Sequence, residues 1–178
     1  AFATTDPEKF ASAVMVAQVL AADDRPTAAQ FWLRRADNHA QTETAARRDT
    51  LKRLRLIYAR FLFENKKLER AKVQYEVVLQ AAPNDGDVLF ALALISMEQE
   101  LFVEAKEYLN RMIRWNRRVG EARYYLGNVA EKNDEIDLAI KEYKQVGRGY
   151  EFLPAQSRIA DLLVEQGRIE EMHEHLSN

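Results

Sequence analysis

The chain has no cysteine among its 178 residues. Disulfides, thiolate metal sites and a thiol nucleophile are therefore excluded, while the compartment stays open. Glycine (6) and proline (4) are scarce, too few for the many tight turns of a β-rich fold. No apolar run approaches the roughly 20 residues that span a bilayer. Neither charge dominates: 26 Lys and Arg against 28 Asp and Glu give a net −2. No global basic field thus invites nucleic acid or a membrane surface. The opening AFATTDPEKF has neither an initiator Met nor a signal peptide, so the expectation is a mature product or an excised piece. What the chain does have is 47% hydrophobic and 30% charged residues, the balance of a folding sequence and not of a disordered tail.

It also has a repeat. Ala71, Ala105 and Ala139 stand 34 residues apart, and four residues after each comes Tyr75, Leu109 or Tyr143. Twelve residues before each sits Ala59, Ala93 or Gly127, preceded by Tyr58, Leu92 or Leu126. A fourth copy follows after 33 residues, with Ile159, Ala160, Met172 and Leu176. Apolar residues within each unit fall at the spacing of a one-sided helix. Residues 55–64 place Leu56, Ala59 and Phe63 on one stripe; residues 68–80 place Leu68, Ala71, Tyr75 and Leu79 on another. The links Asn65-Lys66-Lys67, Gln99-Glu100, Asn133-Asp134-Glu135 and Gln166-Gly167-Arg168 join the two arms. Asn and Gly there suit the left-handed residue that ends a helix. Ala82-Pro83-Asn84-Asp85-Gly86 reads as a helix breaker and restart. The pattern predicts a stack of helical hairpins, with small residues where two helices approach closely.

This spacing resembles the tetratricopeptide repeat, a 34-residue helix–turn–helix with large–small in its first helix and Ala-x3-aromatic in its second. Tyr58-Ala59, Ala71-x3-Tyr75 and Pro83 match it in residues 52–85. Residues 86–119 and 120–153 match without the closing Pro, and 153–178 form a degenerate fourth copy with Met172 where Ala is usual. The early Trp of the family is replaced by Arg55, Leu89, Arg123 and Gln156. The resemblance implies an all-α fold, a superhelical solenoid of antiparallel helix hairpins.

The ends are less regular. Asp6-Pro7-Glu8 reads as the start of a helix running to about Ala22, ended by Asp23-Asp24-Arg25-Pro26. A second helix is expected over residues 27–47. Ala17 and Ala29 are again twelve apart, so residues 1–51 read either as a degenerate repeat or as a plain capping hairpin. The last helix, residues 169–176, is short and has no polar cap after it. Solenoids need such caps, so a longer array or packing on another copy is expected.

Catalytic chemistry finds little support. His39 stands alone on a charged helix, and His173 and His175, two apart, point to different faces. They are expected to be solvated, without the His-Glu-x-x-His spacing of a metal site. Gly147-Arg148-Gly149 is too short for a phosphate cradle and reads as a hairpin link. Asp23-Asp24 and Glu170-Glu171 read as solvated acids, without the shared desolvated cleft of an acid–base pair. Two basic clusters, Arg47, Arg48, Lys52, Arg53, Arg55 and Arg111, Arg114, Arg117, Arg118, Arg123, read as solvated faces and complements of helix dipoles. The expectation is no catalytic residue, no metal, no cofactor and no nucleic-acid partner.

The resemblance implies instead a groove for a protein or peptide partner, lined by the first helix of each hairpin. Position by position it implies Arg60 and Phe63, then Phe90, Leu94 and Met97, then Tyr124, Asn128 and Glu131, then Arg158 and Asp161. Asn128 holds a position that in the family often contacts a peptide main chain. Tyr124 replaces a Lys that would help grip a terminal carboxylate. The apolar Phe90, Leu94 and Met97 suit adaptable contacts, and core packing is the open alternative. A narrower resemblance, over residues 145–168, is to bacterial outer-membrane tetratricopeptide lipoproteins that act as adaptors of a carboxy-terminal processing protease. It implies a scaffold delivering cell-wall hydrolases to that protease, in the periplasm, with membrane contact only through a lipid-bearing N-terminus absent here. The other readings are a structural or self-associating module and a cytoplasmic location.

Overall fold

The computed structural model describes residues 6–22, 26–40 and 45–177. Among the described residues there are ten α-helices and no strand: α1 Asp6–Ala22, α2 Pro26–Ala40, α3 Ala45–Glu64, α4 Leu68–Ala81, α5 Gly86–Glu98, α6 Phe102–Arg114, α7 Val119–Lys132, α8 Ile136–Lys144, α9 Phe152–Glu165 and α10 Ile169–Ser177. They form two compact units, residues Ala1–Ala82 and Pro83–Asn178. In the first unit α1 packs on α2 and α3 on α4, and α3 also meets α1 and α2. In the second, α5–α6, α7–α8 and α9–α10 pair, while α6 also packs on α7 and α8 on α9. The expected all-α hairpin fold is what these elements build.

The repeat register explains where the helices touch. Ala59, Ala71, Ala93, Ala105 and Ala139 are all at 0% exposure. At Gly127 the reason is explicit: a Cβ there would run into the ring of Tyr143 on α8. Tyr143 is itself fully buried, so the large side chain of one arm occupies the space that the small one vacates. The core of the last two hairpins is Ala130, Ala139, Ile140, Tyr143, Val146, Ala155, Ile159, Leu162 and Leu163. Each large aliphatic there contributes about 1.5–3 kcal/mol of burial.

Several local expectations shift. In α3 the buried stripe is Leu51, Leu54, Tyr58, Ala59 and Leu62, whereas Leu56 and Phe63 are half-buried. In α4, Leu68 is half-buried, and Gln74 and Val78 join Ala71, Tyr75 and Leu79 inside. Gln74 is polar but satisfied, since Arg55 Nη1 donates to its Oε1 at 2.9 Å. Arg123 and Glu142, also 19 residues apart, make the equivalent α7–α8 bond at 2.7 Å. Both arginines hold the position where the resembled family has Trp, so a polar link between hairpin arms takes the place of aromatic packing.

Asn116 and Arg118, between α6 and α7, have left-handed backbone. Between the arms of the hairpins the left-handed residues are Lys66, Glu100, Asp134 and Gly167, in step with the repeat, and not Asn65 or Asn133. At each, the next amide closes the helix by donating to a carbonyl five residues back: Lys67 to Leu62, Leu101 to Ser96 and Arg168 to Leu163 at 2.8 Å, Glu135 to Ala130 at 2.9 Å. This is the Schellman closure, which satisfies helix-end carbonyls and selects backbone position over residue type. The restart at α5 follows its sequence signal: the Asp85 carboxylate accepts from the Val88 amide at 3.3 Å.

In the N-terminal region, α2 is described to Ala40 and α3 from Ala45, so Arg47 belongs to α3, and residues 41–44 of the helix expected over residues 27–47 lie outside the described residues. Asp23, Asp24 and the side chain of His39 lie outside the described residues. At the other end, no residue of α10 is buried. Leu176, at the repeat position of the fully buried Tyr143, is 64% exposed, and Ala160 is half-buried where Gly127 is buried. One acid and a histidine there also depart from simple solvation. Glu171 is held by Arg168 at 2.7 Å, and the Nε2 of His175 is buried. Burial, then the nearby Lys144 charge, lowers the affinity of that imidazole for a proton.

Candidate functional site

The second unit carries an unbroken chain of side-chain contacts across the first helices of its three hairpins. It begins at the start of α5. Arg118, the residue before α7, bonds Asp87 at 2.9 Å through Nη1 and Glu121 at 2.6 Å through both Nε and Nη2. Its guanidinium lies 4.2 Å from the centroid of the Phe90 ring. Phe90 meets Tyr125 edge-on at 5.1 Å, Tyr125 meets Tyr124 edge-on at 5.5 Å, and Tyr124 reaches Tyr143 at 5.5 Å. The Tyr143 hydroxyl lies 2.5 Å from Asn128 Oδ1 and also against Glu131, its one hydrogen shared between the two acceptors. Glu131 is then gripped by Nε and Nη2 of Arg158, whose Nη1 reaches Asp161 at 3.4 Å.

Each arginine on this ridge is shared by two carboxylates. Arg118 therefore holds its proton more tightly, first through the Glu121 hydrogen bond and against the cost of burial. Arg158 does so through Glu131. For the Glu131 carboxyl, burial pushes the pKa up, but the hydrogen bonds from Arg158 and Tyr143 outweigh it and hold it below the ordinary value. The Tyr143 phenol is pushed well up by burial and by its bond to Glu131. Two arginines and four carboxylates are thus tied to one another, and the centre of the ridge is aromatic.

Of the residues expected to line a groove, Phe90, Tyr124, Asn128, Glu131, Arg158 and Asp161 are joined by this chain. Leu94 and Met97 are half-buried on α5. Arg60 is exposed and Phe63 half-buried on α3, in the other unit. The polar members are bound to one another, Glu131 and Asp161 through Arg158 and Asn128 through Tyr143. Asn128 in particular offers its carbonyl oxygen to Tyr143.

Asp87, Arg118, Glu121 and Tyr125 were not among the expected site residues, and Tyr143 was read only as a packing position. A signal existed: Asp87 and Glu121 are one repeat apart, with Arg118 three residues before Glu121. The same arrangement recurs at α10, where Arg168 bonds Asp137 at 2.6 Å and Glu171 at 2.7 Å.

The basic clusters are likewise structured. Arg53 pairs with Asp49 at 2.9 Å on an exposed face, and Arg111 Nη2 donates to the Pro83 carbonyl at 3.0 Å. Arg111, Arg114, Trp115 and Pro83 line an open cleft of about 520 Å³. Among the described residues there is no helix long and apolar enough to cross a membrane.

This architecture has known counterparts. Residues 62–126 match the tetratricopeptide repeat family model. A TPR repeat-containing protein, PA4667 of Pseudomonas aeruginosa, is 43% identical over 58 residues, 33% of this chain and 10% of that protein. The chain thus spans about a tenth of the length of the curated relative it matches. Among solved structures, MamA (residue 41 to the end) from Desulfovibrio magneticus has a TM-score of 0.66 at 14% identity, covering 96% of this chain and 92% of that one. PilF of Pseudomonas aeruginosa has a TM-score of 0.60 at 21% identity, covering 97% of this chain and 73% of that one. At these identities the likeness is one of fold: the all-α solenoid of tetratricopeptide hairpins.

Proposed function

We propose that the chain is a non-catalytic scaffold that holds a protein or peptide partner on the ridge from Asp87 to Asp161. The observation that carries this reading is the ridge itself. Three half-buried aromatic rings, Phe90, Tyr125 and Tyr124, sit between two pre-arranged charged ends. Aromatic anchors supply binding energy at low entropic cost, and fixed charges set register. The finer role is adaptor to a carboxy-terminal processing protease, delivering cell-wall hydrolases in the periplasm from an outer-membrane anchor. That role rests on the resemblance of residues 145–168; a cytoplasmic scaffold is its alternative.

The test is direct binding of the purified chain to a purified protease of that class and to a cell-wall hydrolase. Replacing Phe90 and Tyr125 by Ala is expected to weaken partner binding at least about tenfold, since buried aromatic anchors contribute about 2 kcal/mol or more. Circular dichroism is expected to remain helical. Unchanged binding removes the ridge from the interface; absence of binding to either protein removes the protease role.

One observation favours a second reading, self-association. Val164, Ile169 and Leu176 are exposed at the end of the second unit, and no residue of α10 is buried. Light scattering decides it: a dimer that becomes a monomer on Leu176→Asp supports self-association, and a monomer at all concentrations rejects it.

A further inference from the structure

We infer that the ridge selects a cationic segment: an extended stretch with apolar side chains flanked by Lys or Arg. The inference rests on the scaffold reading above and names the chemistry of its partner. The charged groups on the ridge are unequal in number and in access. Asp87, Glu121, Glu131 and Asp161 belong to the contact chain, and the Glu151 charge acts on Tyr125. Against these five carboxylates stand four cations: Arg118, Arg158, Lys132 beside Glu131, and Arg117, whose side chain lies against Gly86 next to Asp87.

Access sharpens the asymmetry. Both guanidiniums are already engaged by two carboxylates each, so a ligand carboxylate reaches them only by displacing a protein one. The inner acids Glu121 and Glu131 are largely enclosed, with side chains 24% and 18% exposed. The outer acids are open: Asp87 is 87% exposed and Asp161 53%. Between them lie the rings of Phe90, Tyr125 and Tyr124; one face of Phe90 already carries the Arg118 guanidinium, and the aromatic surface left open attracts ammonium and guanidinium groups as well as apolar side chains. An incoming cation meets an open carboxylate and an aromatic face. An incoming anion meets an excess of negative charge and two occupied arginines. Like-charge juxtaposition of that kind excludes partners as well as favouring others.

The test is selection from a random displayed peptide library on the intact chain, with subtraction on the Phe90→Ala/Tyr125→Ala variant. Ridge-dependent clones are expected to be enriched in Lys and Arg on either side of an apolar core. For the selected peptides, Asp87→Asn with Asp161→Asn is expected to weaken binding about three- to tenfold, the sum of two exposed pairs, and to flatten the salt dependence. Neither aspartate is in the core, so the variant keeps its fold. Ridge-dependent clones rich in Asp or Glu, or without charge bias, overturn the cationic preference and leave the scaffold reading standing. If no clone depends on Phe90 and Tyr125, the ridge is not the binding surface and both readings fall.

Discussion

Gly127→Ala is a sharp test of how the hairpins are held. In an exposed helix, Ala in place of Gly stabilises by about 1 kcal/mol. Here the new methyl would overlap three atoms of the Tyr143 ring. The ring has little freedom to move, being at 0% exposure with its hydroxyl bonded to Asn128 and Glu131. Overpacking of a rigid site costs about 1–3 kcal/mol, so the net expectation is destabilisation by about 1 kcal/mol. The second hairpin shows the way out: Ala93 there sits with Leu109 at the corresponding position. In a Tyr143→Leu background, Gly127→Ala is therefore expected to become neutral or stabilising, giving a coupling of about 1–2 kcal/mol in the double-mutant cycle. Urea midpoints followed by circular dichroism measure it, and hydrogen exchange of α7 and α8 amides localises it. If Gly127→Ala raises the midpoint with Tyr143 in place, close approach is not the reason for that glycine.

Replacing Lys66, Glu100 or Asp134 by Gly is expected to stabilise by about 0.5–1 kcal/mol each, because the left-handed backbone strains a side-chain-bearing residue; a lower thermal midpoint in all three refutes the turn geometry. The depressed pKa of Glu131 makes its stabilisation present above the carboxyl's ordinary value of 4.5 and lost as pH falls through the lower folded-state value. Acid unfolding of Glu131→Gln should thus show a shallower slope in that window, and an unchanged slope contradicts the network. The raised pKa of Tyr143 has the opposite sign. Its contribution is complete below about pH 10 and declines as pH rises toward the higher folded value, so Tyr143→Phe should flatten alkaline unfolding. Arg123→Ala is expected to cost about 1–2 kcal/mol, because it strands the largely enclosed Glu142. Arg53→Ala, which breaks an exposed pair, should stay within about 0.5 kcal/mol; equal losses in chemical denaturation would undo that ranking.

The periodic small and large residues made the hairpins legible, because close helix packing demands them and little else does. Ala59, Ala93 and Gly127 were readable as crossings without coordinates. The turns were legible in place but not in detail: the left-handed position follows from helix length, so it fell on Lys66 and Asp134 instead of the neighbouring asparagines. The ridge was half legible. Its aromatic members follow from helix register, and Phe90 and Tyr124 were found that way. Its ion pairs were not, because pairing Asp87 with Arg118 requires two helix starts, 31 residues apart in sequence, to meet in space. Charge runs read along the chain looked like solvated faces, whereas Arg118 and Arg123 are held by acids of other helices, Asp87 and Glu142.

That self-pairing bears on how a partner can be recognised. Taking Arg158 away from Glu131 would leave a mostly enclosed carboxylate without its counter-ion, a loss of about 1–3 kcal/mol that a ligand carboxylate must exceed before any gain. The cost of orienting the arginines has been met during folding, so they are poor hands for grasping a new anion and good struts for fixing the aromatic rings. Specificity then falls to the groups left open to solvent, Asp87 and Asp161, and affinity to the rings between them. A surface built this way discriminates by excluding acidic partners through its fixed charge and by admitting cations at its rim. It needs no rearrangement of its core to do either.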